Sequence, residues 1–158
     1  MGNGINNVMD SAVKFGAGRY RQGRGVLEHC GQEIRRFGKK AYIVSGPRAF
    51  DAVKDRLLPG LTEAGVEFVA EIYDGVCSYE AAEALGKKCL DAGCDEVVGI
   101  GGGVIMDLSK AVAGKAGVGV INIPTSIATC AAFTAMSVMY TPQGAMKDNW
   151  RYEYETDG

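Results

Sequence analysis

Three consecutive glycines, Gly101, Gly102 and Gly103, stand between an apolar run, Val97-Val98-Gly99-Ile100, and an amphipathic segment that carries Asp107 and Lys110. Residues without a Cβ at a strand-to-helix turn let backbone amides approach a ligand closely. The first turn of the following helix adds unpaired N–H groups and the positive end of its dipole. Such a turn can bind a phosphate or pyrophosphate, although a tight turn with no ligand has the same composition. The pattern is not the dinucleotide fingerprint GxGxxG: counted from Gly99 the sixth position is Val104, and the turn follows a late strand. Asp107 and Lys110 share one face of the helix, one turn inside its start. They either serve the site or form a surface pair worth a few tenths of a kcal/mol.

The elements that must position this turn follow from the periodicities. Lys40–Ser45 and Val66–Tyr73 read as strands, the second alternating apolar and polar. Glu96–Ile100 and Val118–Ile123 are nearly unbroken apolar stretches, as expected of buried parallel strands. Between them run helical segments. Leu27, Cys30, Ile34 and Phe37 form one apolar stripe with Gly38 as its stop, and Phe50, Val53 and Leu57 form another, which Pro59 must break or kink. Ser78 caps a third helix with Ala82, Leu85 and Cys89 on its buried face, charges placed to suit its dipole, and Gly93 after its end. Repeated β–α–β units predict an α/β fold, a parallel sheet with helices on both faces and ligands at the carboxyl ends of the strands. Thr125 and Ser126 lie at the strand end next to the glycine turn. A β-hairpin closes the pattern: Thr134–Tyr140, a turn at Thr141-Pro-Gln-Gly144, and a returning strand with Trp150, Tyr152 and Tyr154 on one exposed face. No helical segment follows to pack against it.

The chain has 158 residues, 47% apolar and 23% charged, which predicts one globular domain, 1–158, with a sizeable core. A net charge of -2 and a pI near 5.5 argue against nucleic acid or a membrane surface as partner. No apolar run approaches the roughly 20 residues that span a bilayer. The start, Met1-Gly-Asn-Gly-Ile, has no secretory n-region or h-region, and Asn6 breaks the myristoylation pattern, so a cytoplasmic protein is expected. Cys30, Cys77, Cys89, Cys94 and Cys130 show no CxxC or zinc spacing and read as reduced thiols, mostly in the core.

Taken in order, Gly101-Gly-Gly-x-x-x-Asp107-x-x-Lys110, Ile123-Pro124-Thr125-Ser126 and Ser137-Val-Met-Tyr140-Thr-Pro-x-Gly144 closely resemble the glycerol dehydrogenases. These belong to the superfamily of iron-containing alcohol dehydrogenases and dehydroquinate synthases. The resemblance runs from about Phe15 to about Tyr154. It implies a Rossmann-like nucleotide-binding domain, with the family's helical, metal-binding domain absent from this chain. It also implies roles. Gly101, Gly102 and Gly103 with Val104 would hold the pyrophosphate of NAD or NADP, with Asp107 near the nicotinamide end and Lys110 supporting the loop. Thr125, Ser126 and Thr129 would contact the adenine side, and Thr134, Met136 and Tyr140 the nicotinamide side.

Three departures qualify those roles. Cys130 stands where glycerol-type enzymes place an Asp on a substrate hydroxyl; a thiol is a weak donor and poor acceptor, and a small buried Cys is the plainer reading. NAD-preferring relatives tend to carry Asp at the strand end that here reads Val44-Ser45-Gly46. Without that carboxylate Ser45 and Gly46 would admit a 2′-phosphate, unless they are plain turn residues. The family's zinc or iron is held by an Asp and histidines beyond this chain, and the one histidine, His29, reads as solvated on a polar helix face. No metal ligands and no catalytic residues are therefore expected here.

The reading that follows is the nucleotide-binding half of a dehydrogenase, as a truncated, split or partial chain. It would transfer a hydride between an alcohol or polyol and NAD(P), and would be inactive until the missing domain supplies the metal. A dehydroquinate-synthase-like lyase is the alternative suggested by Gly101-Gly-Gly-Val-Ile-x-Asp107-Leu, although that branch's later Asp and Gly-Gly-Lys element are missing after Pro124-Thr125. A third reading is a non-catalytic dinucleotide-binding module that pairs with a second chain or with itself.

Overall fold

The computed structural model describes residues 18–126 and 128–151. In chain order the elements are α1 (Cys30–Arg35), β1 (Lys40–Ser45), α2 (Pro47–Glu63), β2 (Glu67–Ile72), α3 (Tyr79–Asp91), β3 (Glu96–Gly101), α4 (Gly103–Ala116), β4 (Gly119–Pro124), β5 (Met136–Tyr140) and β6 (Met146–Arg151). The first four strands form a parallel sheet in the order β2-β1-β3-β4, and β5 and β6 form a separate antiparallel pair. The four strands of the parallel sheet are present to within a residue of their predicted ends, while β5 begins at Met136, two residues later than Thr134.

Side chains alternate across a strand, so β1, β3 and β4 supply two cores. Tyr42, Val44, Val97 and Val120 face α3 and α4, where Ala82, Leu85, Leu108 and Val112 meet them. Ala41, Ile43, Val98, Ile100 and Ile121 face α1 and α2, packing with Ile34, Val53, Leu57 and Leu61. Burial on both faces is why β1, β3 and β4 read as apolar runs, whereas β2, at the edge opposite β4, exposes Val69 and Ile72. Among the described residues no helix is long and apolar enough to cross a membrane.

The helix ends follow local chemistry. Ser78 Oγ accepts from Ala81 N at 3.1 Å and starts α3. Gly117, left-handed at φ 69°, ends α4.

Three expectations change. Pro59 does not break its helix: α2 runs through it from Pro47 to Glu63. The carbonyl deprived of a donor belongs to exposed Asp55, within reach of solvent, while Leu57 and Leu61 on either side are fully buried and keep the helix docked. Gly60 also lies against α1 so closely that a Cβ on Gly31 would fall 2.0 Å from its carbonyl oxygen. Phe37 is exposed, because α1 ends at Arg35 before the stripe reaches it.

The hairpin, expected to lack support, packs on α3 and α4. Trp150 is half-buried over Gly114, where a Cβ would meet its Cη2 at 2.3 Å. Met139 is buried with its Sδ 3.6 Å from Cys77 Sγ, and the Tyr79 hydroxyl donates to Asp148 at 2.8 Å. Thr141–Gly144 form the expected turn, with Gly144 N donating to Thr141 O at 2.8 Å. Tyr152 and Tyr154 lie outside the described residues.

Cys77, Cys89 and Cys94 are buried, Cys30 is half-buried, and Cys130 is exposed. Burial pushes Cys30 up to about 11, and Cys77 and Cys89 up to about 12. The folded chain therefore keeps protons that the unfolded chain loses, so this stability is complete below the ordinary thiol pKa and is lost as pH rises through the folded values. Lys110, lowered by burial, acts in the opposite sense but is one group against four thiols, since burial raises Cys94 as well. Urea midpoints should fall between about pH 8 and about pH 10, with a shallower fall in a Cys77→Ala, Cys89→Ala double variant.

Packing is also close at Gly99, where a Cβ would meet Ser109 Oγ at 2.3 Å and Asn122 Oδ1 at 3.0 Å. Gly99→Ala should lower unfolding free energy by about 2 kcal/mol in urea titrations.

Candidate functional site

β1 is bonded to β2 on one side and β3 on the other, so the chain's crossovers leave it in opposite directions. A crevice opens at the carboxyl ends of strands at such a point. Gly46, after β1, flanks it on one side; Gly101–Gly103, after β3, flank it on the other. The end of β4 is tied to the same corner, since Thr125 N donates to Gly101 O at 2.9 Å.

The three glycines divide the work. A Cβ on Gly101 would fall 2.9 Å from Ile105 Cβ, so that position is fixed by packing. Gly103 begins α4 and faces Thr129, whose Oγ1 lies 3.3 Å from where its Cβ would be. Gly102 has open space where a side chain would project, with nothing within 4 Å. It is also the N-cap of a 14-residue helix with no side-chain cap and no acid in the first turn. The first intrahelical bond here runs from Met106 N to Gly102 O at 3.0 Å, so the amides of Gly103, Val104 and Ile105 precede it. Val104 is half exposed. The corner can accept an anion through main-chain donors.

Asp107 and Lys110 are not a surface pair. Their side chains meet at 3.1 Å, and Lys110 is completely buried. Its ammonium donates to Ala131 O at 2.7 Å, to Thr134 O at 2.9 Å, and to Met136 O. Asp107 Oδ2 accepts from Val138 N at 3.0 Å, and its backbone carbonyl accepts from the Ser137 hydroxyl at 2.8 Å. Burial pulls Lys110 below the ordinary lysine pKa, while Asp107 pushes it back. Together they fasten the loop after β4 and the first residues of β5 onto α4.

The other predicted residues fall around this frame. Ser45 is buried, its hydroxyl donating to Ile100 O at 2.9 Å, which braces β1 against β3. Gly46 is half-buried beside Ile105, and Thr125 and Ser126 are exposed past β4. Thr129 Oγ1 accepts from Ala131 N at 3.1 Å. Cys130 is exposed, against the plainer expectation of a small core thiol, because its loop runs over the surface and its carbonyl receives the amides of Phe133 and Thr134. Thr134 is half-buried and Met136 is 44% exposed. Tyr140 sits against the core, its N–H donating to Cys77 O at 2.7 Å. His29 is exposed and precedes α1, and the described residues contain no cluster of three metal-ligating side chains.

Sequence reasoning gave Ser137 and Val138 no role beyond their place in the motif and passed over Asn122. The last donates from Nδ2 to Ala132 O at 3.2 Å and braces the same loop. Its signal was present: one amide inside an otherwise apolar strand.

A family model described as iron-containing alcohol dehydrogenase matches residues 17–155. The chain belongs to the iron-containing alcohol dehydrogenase family. Within that family it is 37% identical to a glycerol dehydrogenase of Thermotoga maritima, over 82% of this chain and 35% of that protein. It is 30% identical to a glycolaldehyde reductase of Halobacterium salinarum, over 87% of this chain and 38% of that one. The crystal structure of a probable glycerol dehydrogenase from Sinorhizobium meliloti 1021 superposes with a TM-score of 0.81 at 27% identity, covering 90% of this chain and 39% of the other. The chain thus spans little more than a third of the length of these iron-containing alcohol dehydrogenase relatives.

Replacing Lys110 by Met would leave Asp107 and the carbonyls that Lys110 serves facing a methyl. Lys110→Met should cost about 3 kcal/mol or more of unfolding free energy. A loss below about 1 kcal/mol in urea would instead match a solvated pair.

Proposed function

We propose that this chain, residues 1–158, is the nucleotide-binding domain of an alcohol oxidoreductase that moves a hydride between an alcohol or polyol and NAD or NADP. One observation carries the reading: the vacant side of Gly102 at the amino end of α4, in the crevice between the ends of β1 and β3. A pyrophosphate needs that combination of close main-chain approach and aligned donors. The family membership and the names of the relatives supply the reaction class.

The amides of Gly102, Gly103 and Val104 would hold the diphosphate, with Gly101 fixing the turn beneath them. Thr125, Ser126 and Thr129 would line the adenine side, and Thr134, Met136 and Tyr140 the nicotinamide side. Asp107 and Lys110 act through the loop they fasten. With its hydroxyl committed to Ile100 O, Ser45 would contribute through shape, and Gly46 leaves the neighbouring wall free of a carboxylate. Absence of that charge admits both NAD and NADP. The exposed Cys130 would lie on the side from which the alcohol enters. When bound, the dinucleotide supplies the hydride acceptor.

The described residues do not fit a zinc or iron site, since no three ligating side chains come together. Activation of the alcohol by a metal therefore needs side chains outside this set, and residues 1–158 alone should bind dinucleotide without turning over substrate.

Titration with NAD and NADP, read by calorimetry and by Trp150 fluorescence, tests the reading. The chain should bind at least one dinucleotide. Gly102→Val should keep the circular dichroism spectrum while weakening binding by about tenfold or more. No heat with either dinucleotide, or full affinity in the variant, would refute the site.

A further inference from the structure

The carboxyl end of α3 closes on two cysteines. Gly93, left-handed at φ 69°, donates its N–H to Leu90 O at 2.9 Å, and Cys94 donates to Cys89 O at 3.0 Å. These are the paired bonds of a Schellman closure, in which the side chain third from the helix end meets the one two places beyond the cap. Here those side chains are Cys89 and Cys94. Both belong to the core between the sheet and α3–α4, at 0% and 5% exposure, and both are free thiols.

Their backbones are held within bridging range. A carbonyl oxygen lies about 2.4 Å from its own Cα and an amide nitrogen about 1.5 Å from its own. The hydrogen bond between them therefore keeps the two Cα atoms no more than about 6.9 Å apart, at the upper limit of the disulfide range or inside it. We propose that Cys89 and Cys94 form a dithiol that closes to a disulfide on two-electron oxidation by a peroxide, locking the end of α3 to the entrance of β3.

The step balances. The Cys94 thiolate attacks one peroxide oxygen, the O–O bond breaks, and a sulfenic acid and hydroxide result. Cys89 sulfur then displaces the sulfenic oxygen, which leaves as water with the thiol proton. Two thiols lose two electrons, and hydrogen peroxide becomes two waters. Burial raises both thiols, Cys89 to about 12, and each perturbs the other's ionisation. Thiolate is thus scarce and the first step is slow. Once Cys94 is oxidised, proximity decides its partner.

Trypsin releases both thiols in one peptide, residues 89–110, because no Lys or Arg lies between Lys88 and Lys110. After hydrogen peroxide treatment of the folded chain and alkylation without reductant, that peptide should be two hydrogens lighter, unalkylated, and restored by dithiothreitol. Cys89→Ser or Cys94→Ser should abolish the lighter species, and Cys130→Ser should leave it. Refolding from denaturant in oxidised glutathione gives both thiols full access and should yield the same link, with a raised thermal midpoint. A refolded chain whose Cys89 and Cys94 are separately alkylated, separately glutathionylated or linked elsewhere overturns the proposal. So does Cys94 that passes to sulfinic acid with Cys89 still free.

Discussion

A single buried cation organises the half of the molecule that faces the crevice. Lys110 reaches from the middle of α4 to three carbonyl oxygens of one loop and to Asp107 on its own helix. An ammonium taken out of water is costly unless its protons are all accepted. This one meets that condition only if the segment from Ala131 to Met136 adopts one path. The helix that begins at the glycine turn thereby dictates the course of the chain 21 to 26 residues later, and Asp107 extends the control through Ser137 and Val138 into β5. These bonds join helix, loop and hairpin.

The neighbouring glycines show how one residue type serves different ends. Gly99 and Gly101 lack side chains because Ser109 and Ile105 occupy the space, and Gly114 because Trp150 does. Gly102 lacks one with nothing beside it. The first group permits the helix and hairpin to lie close to the sheet. The second leaves a gap in an otherwise packed corner, and a gap at a helix start suits an anion.

Much of this was legible in the chain. β1, β3 and β4 announced themselves because both sheet faces are covered, so their apolar runs are unbroken. Ser78 and Gly93 marked α3 through capping chemistry that depends on a few adjacent atoms. Pro59 misled because tertiary packing of Leu57 and Leu61 outweighs one missing hydrogen bond. Phe37 misled because a six-residue helix ends before its periodicity does. Spacing put Asp107 and Lys110 on one face but was silent on whether water reached them. That depended on Ser137 and Val138, about thirty residues distant, which no local pattern encodes. Gly101, Gly102 and Gly103 were recognisable as a set, whereas their separate duties needed the positions of Ile105 and Thr129.

The crevice wall at Gly102 is made of main chain. A surface of that kind offers an anion shape and charge but no side chain to tune, so any chemical preference would have to come from residues around it. Diversity of reaction can then accumulate around a corner whose only demand is that certain atoms never appear.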